Sequence, residues 1–342
     1  MNYAEIYVNL RQSLYQALQP CIILAMPNDT CVLEDYEFIR ISGPDSHSFL
    51  QGQLTCNTEL LSAECSLSGA LCNLKGRVIA DFRLVEIGED IIMQCAVGMA
   101  DKILETLRKY AVFSKVELSL LESKTNSPPI ALGVIGKGVD AALSNLGLDL
   151  PISAGGVSSS PTSSVIRVPG LSRRIEIWMH TEAAAEQLLT ALKEDKNNDL
   201  GPWLRADIEA GIVHVTPTLS EEFTPALLNY DLSGLIDFKK GCYTGQEIVA
   251  RMFYRGTAKR RLRLASCSHP VSDASKVVAR DSEGSGADVL TFSNTKDSES
   301  LLLAILPIQV VDSGERMTLS DNADSEVCIR ELPYMTDRGV KS

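Results

Sequence analysis

The chain has 342 residues, of which 45% are hydrophobic and 22% are charged, a balance typical of a globular protein with two or three domains. Its formal net charge of −12 argues against a general binder of nucleic acid or anionic membrane, because both repel an acidic surface. The apolar run 21–26 is too short to span a bilayer, and the N-terminus lacks the pattern of a signal or transit peptide. We therefore expect a cytoplasmic protein with no membrane partner.

Periodic patterns predict the first elements in chain order. Residues 1–30 are predicted to be helical with a turn at 27–29, because apolar residues recur at every fourth position. Residues 37–41 alternate and predict a strand, and a helix is predicted to begin near Asp45 or Ser46. Two or three strands of a meander are predicted over 68–97, followed by a helix over 100–110.

Strands and helices alternate in the next part of the chain, which predicts a ferredoxin-like α+β unit. Its strands are predicted at 115–121, 129–135, 164–168 and 174–180, its helices at 139–146 and 182–193, and a Ser/Gly-rich loop at 153–164. A helix over 203–211, a loop-rich stretch over 216–241 and a short helix over 245–251 are predicted to follow.

Short alternating runs dominate from Arg260 onward and predict a small β-barrel. Its strands are predicted at 262–265, 276–280, 289–292, 301–306 and 317–319, with the polar stretch 281–300 as a mobile hairpin loop. The fold class is therefore predicted as α+β with three domains, formed by 1–112 plus 201–256, by 113–200 and by 257–342.

Nine cysteines and four histidines are present, but no C-x-x-C pair occurs and the spacings match no zinc framework. We expect reduced, buried thiols and no metal site. The segment 133–138 lacks the full spacing of a phosphate loop, and no Rossmann fingerprint or G-x-S-x-G elbow is present.

The densest cluster of reactive residues is the segment Lys239-Lys240-Gly241-Cys242-Tyr243-Thr244-Gly245-Gln246-Glu247. Lysines beside Cys242 would favour its thiolate, and Gly241 and Gly245 permit tight turns. A helix beginning after Gly245 would offer free N–H groups to an anion and would suit Glu247 in its first turn. The alternative is an inert buried thiol beside solvated lysines.

Positive charge is concentrated between residues 239 and 263, where eight basic residues and one acid give a net charge of +7. Such a window on an acidic chain predicts an anion site for a folate glutamate tail, a phosphate or RNA. Phe253 and Tyr254 lie within it and are suited to stack on a ring system. The alternative to an anion site is an alternating strand whose basic residues lie on its solvent-exposed face.

A Lys-Gly-Arg turn lies between Asn73 and Asp81. An amide and a carboxylate at strand ends suit hydrogen bonds to a heterocycle such as a pterin, although a plain turn with surface charge explains the same residues.

The run 240–247 resembles the K-G-C-[FYW]-x-G-Q-E signature of the YgfZ family of folate-binding proteins. Three further stretches support this resemblance. They are Ser42-Gly43-Pro44-Asp45 with Phe49-Leu50-Gln51-Gly52-Gln53-Leu54-Thr55, the hairpin Gly69-Ala70-Leu71-Cys72-Asn73-Leu74-Lys75-Gly76-Arg77, and Glu222-Phe223-Thr224-Pro225 with Asp237-Phe238-Lys239. The likeness covers about residues 35–265.

The resemblance implies a fold like the T-protein of glycine cleavage, with three domains in a cloverleaf around a channel for tetrahydrofolate. It implies a role in the assembly or repair of iron–sulfur enzymes, including enzymes that modify tRNA, with iron–sulfur client or assembly proteins as partners. Direct binding of nucleic acid is not expected. The functional thiol would be Cys242 with Lys240 beside it, and the family assigns it no settled reaction.

The resemblance also implies which residues would hold the folate. Asp81 falls near the position of the T-protein's catalytic aspartate, and Glu176 resembles its pterin-binding glutamate, although no Gly-Tyr precedes it. Asn73 is expected near the pterin, and Arg251 or a neighbouring basic residue at the glutamate tail. Two alternatives stay open, an aminomethyltransferase of the glycine-cleavage type and an RNA-binding module.

Overall fold

The computed structural model describes residues 29–121, 128–192, 199–256, 258–279, 286–294 and 299–334. The helix predicted over 1–30 lies outside these residues, except that Asp29 and Thr30 begin a strand instead. The strands are β1 (Asp29–Val32), β2 (Tyr36–Ser42), β3 (Leu67–Cys72), β4 (Val78–Ile87), β5 (Asp90–Ala96), β6 (Glu117–Leu120), β7 (Ile130–Ile135), β8 (Val157–Ser159), β9 (Ser163–Arg167), β10 (Arg174–Met179), β11 (Arg260–Cys267), β12 (Lys276–Ala279), β13 (Ala287–Ser293), β14 (Ser300–Pro307), β15 (Met317–Leu319) and β16 (Asn322–Arg330). The α-helices are α1 (Ser46–Gln51), α2 (Ala100–Arg108), α3 (Val139–Asn145), α4 (Glu182–Ala191), α5 (Gly201–Glu209), α6 (Gln246–Arg255) and α7 (Ile308–Asp312).

The first sheet has the order β3-β4-β5-β2-β6, and its pairs are antiparallel. One face is covered by α1 and α2, which contribute Leu50, Ile103 and Leu107 to a core that also contains Ile39 and Leu84. The alternation of β2 follows from this packing, because Ile39 and Ile41 point into the core from one face of the strand. The predicted meander and both helices are confirmed.

The second sheet has the order β1-β7-β10-β9-β8 and is also antiparallel. The helices α3 and α4 pack against it through Val139, Leu143, Ala185 and Leu188. Strands β7, β9 and β10 stand in ferredoxin-like order, and β1 occupies the edge beside β7. The loop predicted over 153–164 is wrong in part, because Val157–Ser159 pairs with β9 as an edge strand.

Strand pairing crosses the predicted domain boundaries at two places. Strand β6 follows residue 113 in the chain but pairs with β2 of the first sheet. Strand β1 precedes residue 112 but pairs with β7 of the second sheet. The two sheets are therefore linked by exchanged strands, and the boundaries themselves stay a prediction.

The C-terminal strands form a closed barrel in the order β11-β14-β13-β12-β15-β16, as the sequence predicted. The polar strand β16 has no predicted counterpart. The barrel is joined to the loop before α6 by Arg261, whose guanidinium donates to both carboxylate oxygens of Asp231 at 2.6 and 3.0 Å. Among the described helices, none is long and apolar enough to cross a membrane.

Candidate functional site

A cavity of about 1040 Å³ is lined by residues from both five-stranded sheets, from α5 and from the loops at 210–214 and 230–239. Asp81 and Arg83 reach it from β4, where residues two apart share a face. Gln94 lies opposite Arg83 on β5, and Glu176 reaches the cavity from β10. The structure thus brings together the two acids, Asp81 and Glu176, that the sequence proposed for ligand binding.

Asp81 is held by the segment that follows α5. Its Oδ2 lies 2.8 Å from Nδ1 of His214, and its Oδ1 accepts a hydrogen bond of 2.6 Å from the backbone N–H of Val215. Nε2 of His214 lies 3.1 Å from the hydroxyl of Tyr36 and 3.7 Å from Oδ2 of Asp207. Both carboxylate oxygens of Asp81 are therefore engaged within the protein.

The charges in this cluster depend on one another. Burial by itself lowers the pKa of His214, but Asp81 and Asp207 outweigh burial and raise that pKa to about 10. Burial raises the pKa of Asp207, but Arg174 and His214 prevail and lower it to about 2. An imidazolium between two carboxylates therefore lies in the cavity wall at neutral pH. Burial and three nearby acids also hold the pKa of Tyr36 well above its usual value.

Glu176 is the deepest acid, with 2% of its surface exposed. Its Oε1 accepts a hydrogen bond of 2.7 Å from Trp178 Nε1 and another from Gln94 Nε2. Its Oε2 lies 3.5 Å from Arg83 Nε, which is buried and makes no hydrogen bond to another described residue. Each carboxylate oxygen has about two acceptor sites, so Oε1 is fully used, whereas Oε2 keeps acceptor capacity beside Arg83 in the cavity lining.

Several residues of this cluster were missed by the sequence interpretation, which singled out none of Arg83, Gln94, Asp207 and His214. Each lies singly in its segment, and their proximity depends on the pairing of distant elements. One signal was present, because Asp81 and Arg83 alternate with apolar residues along β4 and so share a polar face.

The signature loop 240–247 is anchored by Lys240. Its ammonium donates to the carbonyl oxygens of Gln51, Leu54 and Cys56 at 2.8, 2.5 and 2.8 Å, and lies 5.2 Å above the ring of Tyr243. Burial lowers its pKa to about 8. Lys240 thus fixes the residues after α1, and it is not the free cation beside Cys242 that the sequence suggested.

Cys242 itself is exposed, which contradicts the interpretation of a buried inert thiol. Its neighbours in the loop hold it in place. The N–H of Thr244 donates to Gly52 O at 3.1 Å, and Gly245 has a φ of +82° and lies against the carbonyl of Asn73. Cys242 is not among the residues that line the cavity.

Two further predicted ligand residues also lie outside the cavity lining. Asn73 closes the hairpin turn, since its Oδ1 accepts from the N–H groups of Lys75 and Arg77 and its Nδ2 donates to Glu221. Arg251 lies on α6 and lines a separate groove. Of the basic residues between 239 and 263, Lys239 is the one that lines the cavity.

The basic window is smaller on the surface than in the sequence. Lys240, Arg261 and Arg263 are buried, so five of its eight basic residues remain exposed. Within the described ranges, no group of three or more His, Cys, Asp or Glu side chains is arranged to hold a metal ion.

Comparison with known proteins decides the family. No protein-family model matches the chain. The tRNA-modifying protein YgfZ of Serratia proteamaculans (strain 568) is 30% identical over 322 residues, which cover 92% of this chain and 95% of that protein. The YgfZ of Photorhabdus laumondii is 36% identical over 236 residues, which cover 69% and 70% of the two chains. The chain belongs to the YgfZ family.

A solved structure confirms the fold predicted for this YgfZ-family protein. The glycine cleavage system aminomethyltransferase T from Bartonella henselae superposes with a TM-score of 0.73, covering 89% of this chain and 85% of that one. The sequences are 17% identical, so this likeness establishes the T-protein fold alone.

The segments that carried the family resemblance meet around the signature loop of this YgfZ-family protein. Lys240 binds the turn at 51–56, and Gly245 packs on the hairpin at 73. The N–H of Asp237 donates to Thr55 O at 3.0 Å, which joins the approach to the signature to the same turn. Three segments that are far apart in the chain therefore form one structural unit, which displays Cys242.

Proposed function

We propose that this protein binds tetrahydrofolate or a derivative in the 1040 Å³ cavity and serves as an accessory protein in the assembly or repair of iron–sulfur enzymes, supporting tRNA modification indirectly. The observation that carries the proposal is the pair of buried Glu176 and Arg83 in the cavity lining, in which Arg83 Nε makes no hydrogen bond to a described residue and Glu176 Oε2 keeps acceptor capacity. When bound, tetrahydrofolate or a derivative would supply one-carbon chemistry at its N5 and N10 atoms.

The donor set fits a pterin. The 2-amino-4-oxo edge of that ring offers N–H donors, one of which Oε2 of Glu176 would accept, and one carbonyl oxygen, which suits a guanidinium. Tyr36, Trp203 and Tyr230 also line the cavity and supply aromatic surface for the rings. The volume lies near the upper end of the roughly 300–1,000 Å³ typical of ligand pockets, which suits an elongated ligand.

Two half-buried aromatic residues and one exposed lysine lie where the far end of the ligand is expected. Phe238 and Phe253 stack with ring centroids 3.6 Å apart and line the cavity together with Lys239. The benzoyl ring and the anionic glutamate of folate would lie here, with Lys239 in the role that the sequence had assigned to Arg251.

Two observations favour this proposal over the alternatives. An aminomethyltransferase of the T-protein type does not account for the exposed Cys242, since the resemblance implies that the T-protein lacks the K-G-C signature. An RNA-binding surface would need the basic window, and three of its eight basic residues are buried.

Calorimetric titration with tetrahydrofolate tests the proposal. We expect Glu176→Gln to weaken binding about ten-fold or more, because a charge-assisted hydrogen bond to the ligand is lost. Glu86→Gln, on β4 and outside the cavity lining, removes the same charge elsewhere and should bind like the wild type.

A parallel glycine-cleavage assay distinguishes the proposed function from the first alternative, an aminomethyltransferase. We expect no methylene transfer by the wild type. Absence of tetrahydrofolate binding by the wild-type protein would overturn the folate proposal, and robust turnover would establish the aminomethyltransferase instead.

A further inference from the structure

The helix α6 carries an exposed stripe of which only Tyr254 also lines the cavity. Glu247, Ala250, Arg251, Tyr254 and Arg255 recur at the spacing of one helix face and line a groove of about 580 Å³. The groove runs along a helix of ten residues, or about 15 Å.

The other side of α6 packs into the protein. Val249 is buried, and Ile248 lies against Gly76 of the hairpin. Phe253 stacks on Phe238 in the cavity wall, with Tyr254 edge-on to Phe253 at 5.0 Å. The stripe is therefore left exposed by the packing of the helix, and its orientation is fixed.

Tyr254 belongs to both sites. It lines the cavity together with Phe238, Lys239 and Phe253, and it lines the groove together with Arg251. The exposed end of the cavity and the groove thus meet at one tyrosine, and a ligand that leaves the cavity past Lys239 reaches the groove next.

The two arginines of the groove have no structural role that contacts with described residues explain. Among the described residues, none forms an ion pair or a side-chain hydrogen bond with Arg251 or Arg255. Arg255 lies in the last turn of α6, where a cation is favourable to the helix dipole, but that position does not account for Arg251. Glu247 at the opposite end is the groove's one acid.

We propose that this groove binds the γ-glutamyl tail of a polyglutamylated folate, so that the physiological ligand is a polyglutamate. This inference rests on the proposed function. Each additional glutamyl unit carries one carboxylate, and Arg251 and Arg255 offer planar guanidinium groups that match carboxylates. The aromatic face of Tyr254 covers the connection between the first glutamate and the rest of the tail.

Whether a longer glutamyl tail strengthens or weakens binding distinguishes a basic tail site from its absence. The chain carries a net charge of −12, so without a local basic track each added carboxylate would weaken binding. A preference for longer tails therefore requires nearby cations. The short length of the groove favours a glutamyl tail over an RNA strand.

Titrations with the mono- and pentaglutamate forms of tetrahydrofolate test the inference. We expect the pentaglutamate to bind the wild type about ten-fold more tightly, from two partly exposed ion pairs, with the advantage shrinking as salt rises. The double variant Arg251→Gln/Arg255→Gln should lose this advantage. Lys115→Gln/Lys137→Gln removes the same charge from exposed lysines elsewhere and should retain it.

Monoglutamate affinity separates the two proposals, because it should be equal in all three proteins. Equal binding of both tails by the wild type, or an advantage that survives the arginine variant, would overturn the polyglutamate site and leave the folate proposal standing. Failure of both forms to bind would overturn both proposals. Displacement of the tail from the arginines by a single-stranded RNA oligonucleotide at lower concentration than by free penta-γ-glutamate would assign the groove to nucleic acid instead.

Discussion

His214 carries a charge in the cavity wall because two carboxylates flank it. A buried charge is costly unless it is paired, and the row formed by Asp81, His214, Asp207 and Arg174 alternates in sign. Arg174 closes the row with a hydrogen bond of 2.7 Å to Asp207 and lies over the ring of Trp203. Removal of one member leaves its neighbours without compensation.

This arrangement predicts a pH dependence of stability. The pKa of His214 is raised to about 10 from an ordinary value near 6.5, so its contribution to folding is complete below about pH 6.5 and is lost as the pH rises toward 10. We expect His214→Asn to cost about 1–2 kcal/mol near pH 6.5, allowing for partial exposure, and progressively less toward pH 9.5. Urea unfolding at several pH values measures this difference.

His180, which makes no ion pair with a described acid, provides the control. The stability difference between wild type and His180→Asn should not vary with pH in the same way, and comparison with wild type cancels the titration of other groups. A His214→Asn difference that stayed constant from pH 6.5 to 9.5 would show that the imidazole is neutral in the folded protein.

At the scale of elements, the signature loop packs against neighbouring segments and holds them together, in addition to being a sequence motif. Lys240 donates hydrogen bonds to three carbonyl oxygens at the end of α1 and in the turn that follows it. These carbonyl groups lie at and beyond a helix terminus, where the helix itself supplies no donors. Gly245 allows the loop to approach the hairpin closely before α6 begins. The conformation that displays Cys242 therefore depends on residues that do no chemistry.

Substitution of Gly245 measures this close approach. A Cβ at Gly245 would lie 2.4 Å from the carbonyl oxygen of Asn73, in a backbone with a φ of +82°. We expect Gly245→Ala to cost about 2–4 kcal/mol in urea unfolding, the sum of left-handed strain and steric overlap.

Gly147→Ala isolates the first of these costs, because Gly147 has a φ of +81° and open space around its Cβ position. That control should cost about 1–2 kcal/mol. Equal losses for the two variants would mean that the loop relaxes away from the hairpin without penalty.

Elements with strong hydrophobic alternation were predicted to within a few residues, as for β2, expected at 37–41 and found as Tyr36–Ser42. The missed strands β8 and β16 are polar, with Ser158 and Ser159 in one and Asn322 and Asp324 in the other. Such strands form because their backbones hydrogen-bond to a neighbouring strand. The periodicity of their side chains does not reveal this pairing.

At the scale of the whole molecule, the cavity and the exposed thiol are separate sites on one framework. The cavity lies where the two sheets and α5 meet, and Cys242 lies on the loop before α6, outside the cavity lining. Ligand binding and thiol chemistry are therefore expected to be separable by mutation.

Cys242→Ser tests this separation, with Cys328→Ser as a control because both thiols are exposed. We expect both variants to bind tetrahydrofolate with wild-type affinity, because neither residue lines the cavity. In cells lacking the wild-type protein, only Cys242→Ser should fail to restore the tRNA modification made by an iron–sulfur enzyme, a loss of about ten-fold or more. A matching defect in Cys328→Ser, or no defect in either variant, would contradict the role of Cys242 as the functional thiol that the family resemblance implies.

The sequence by itself determined the family, the fold class and most elements of this protein, because alternation, turn residues and the K-G-C signature are local patterns. It also pointed to Asp81 and Glu176. Only the tertiary structure showed that Lys240 is an anchor, that Asn73 closes a turn and that His214, Asp207 and Arg83 complete the cavity. Apart from the local turn at Asn73, these roles depend on contacts between distant parts of the chain, such as Asp81 with His214, 133 positions apart, which chain folding creates and local patterns do not encode.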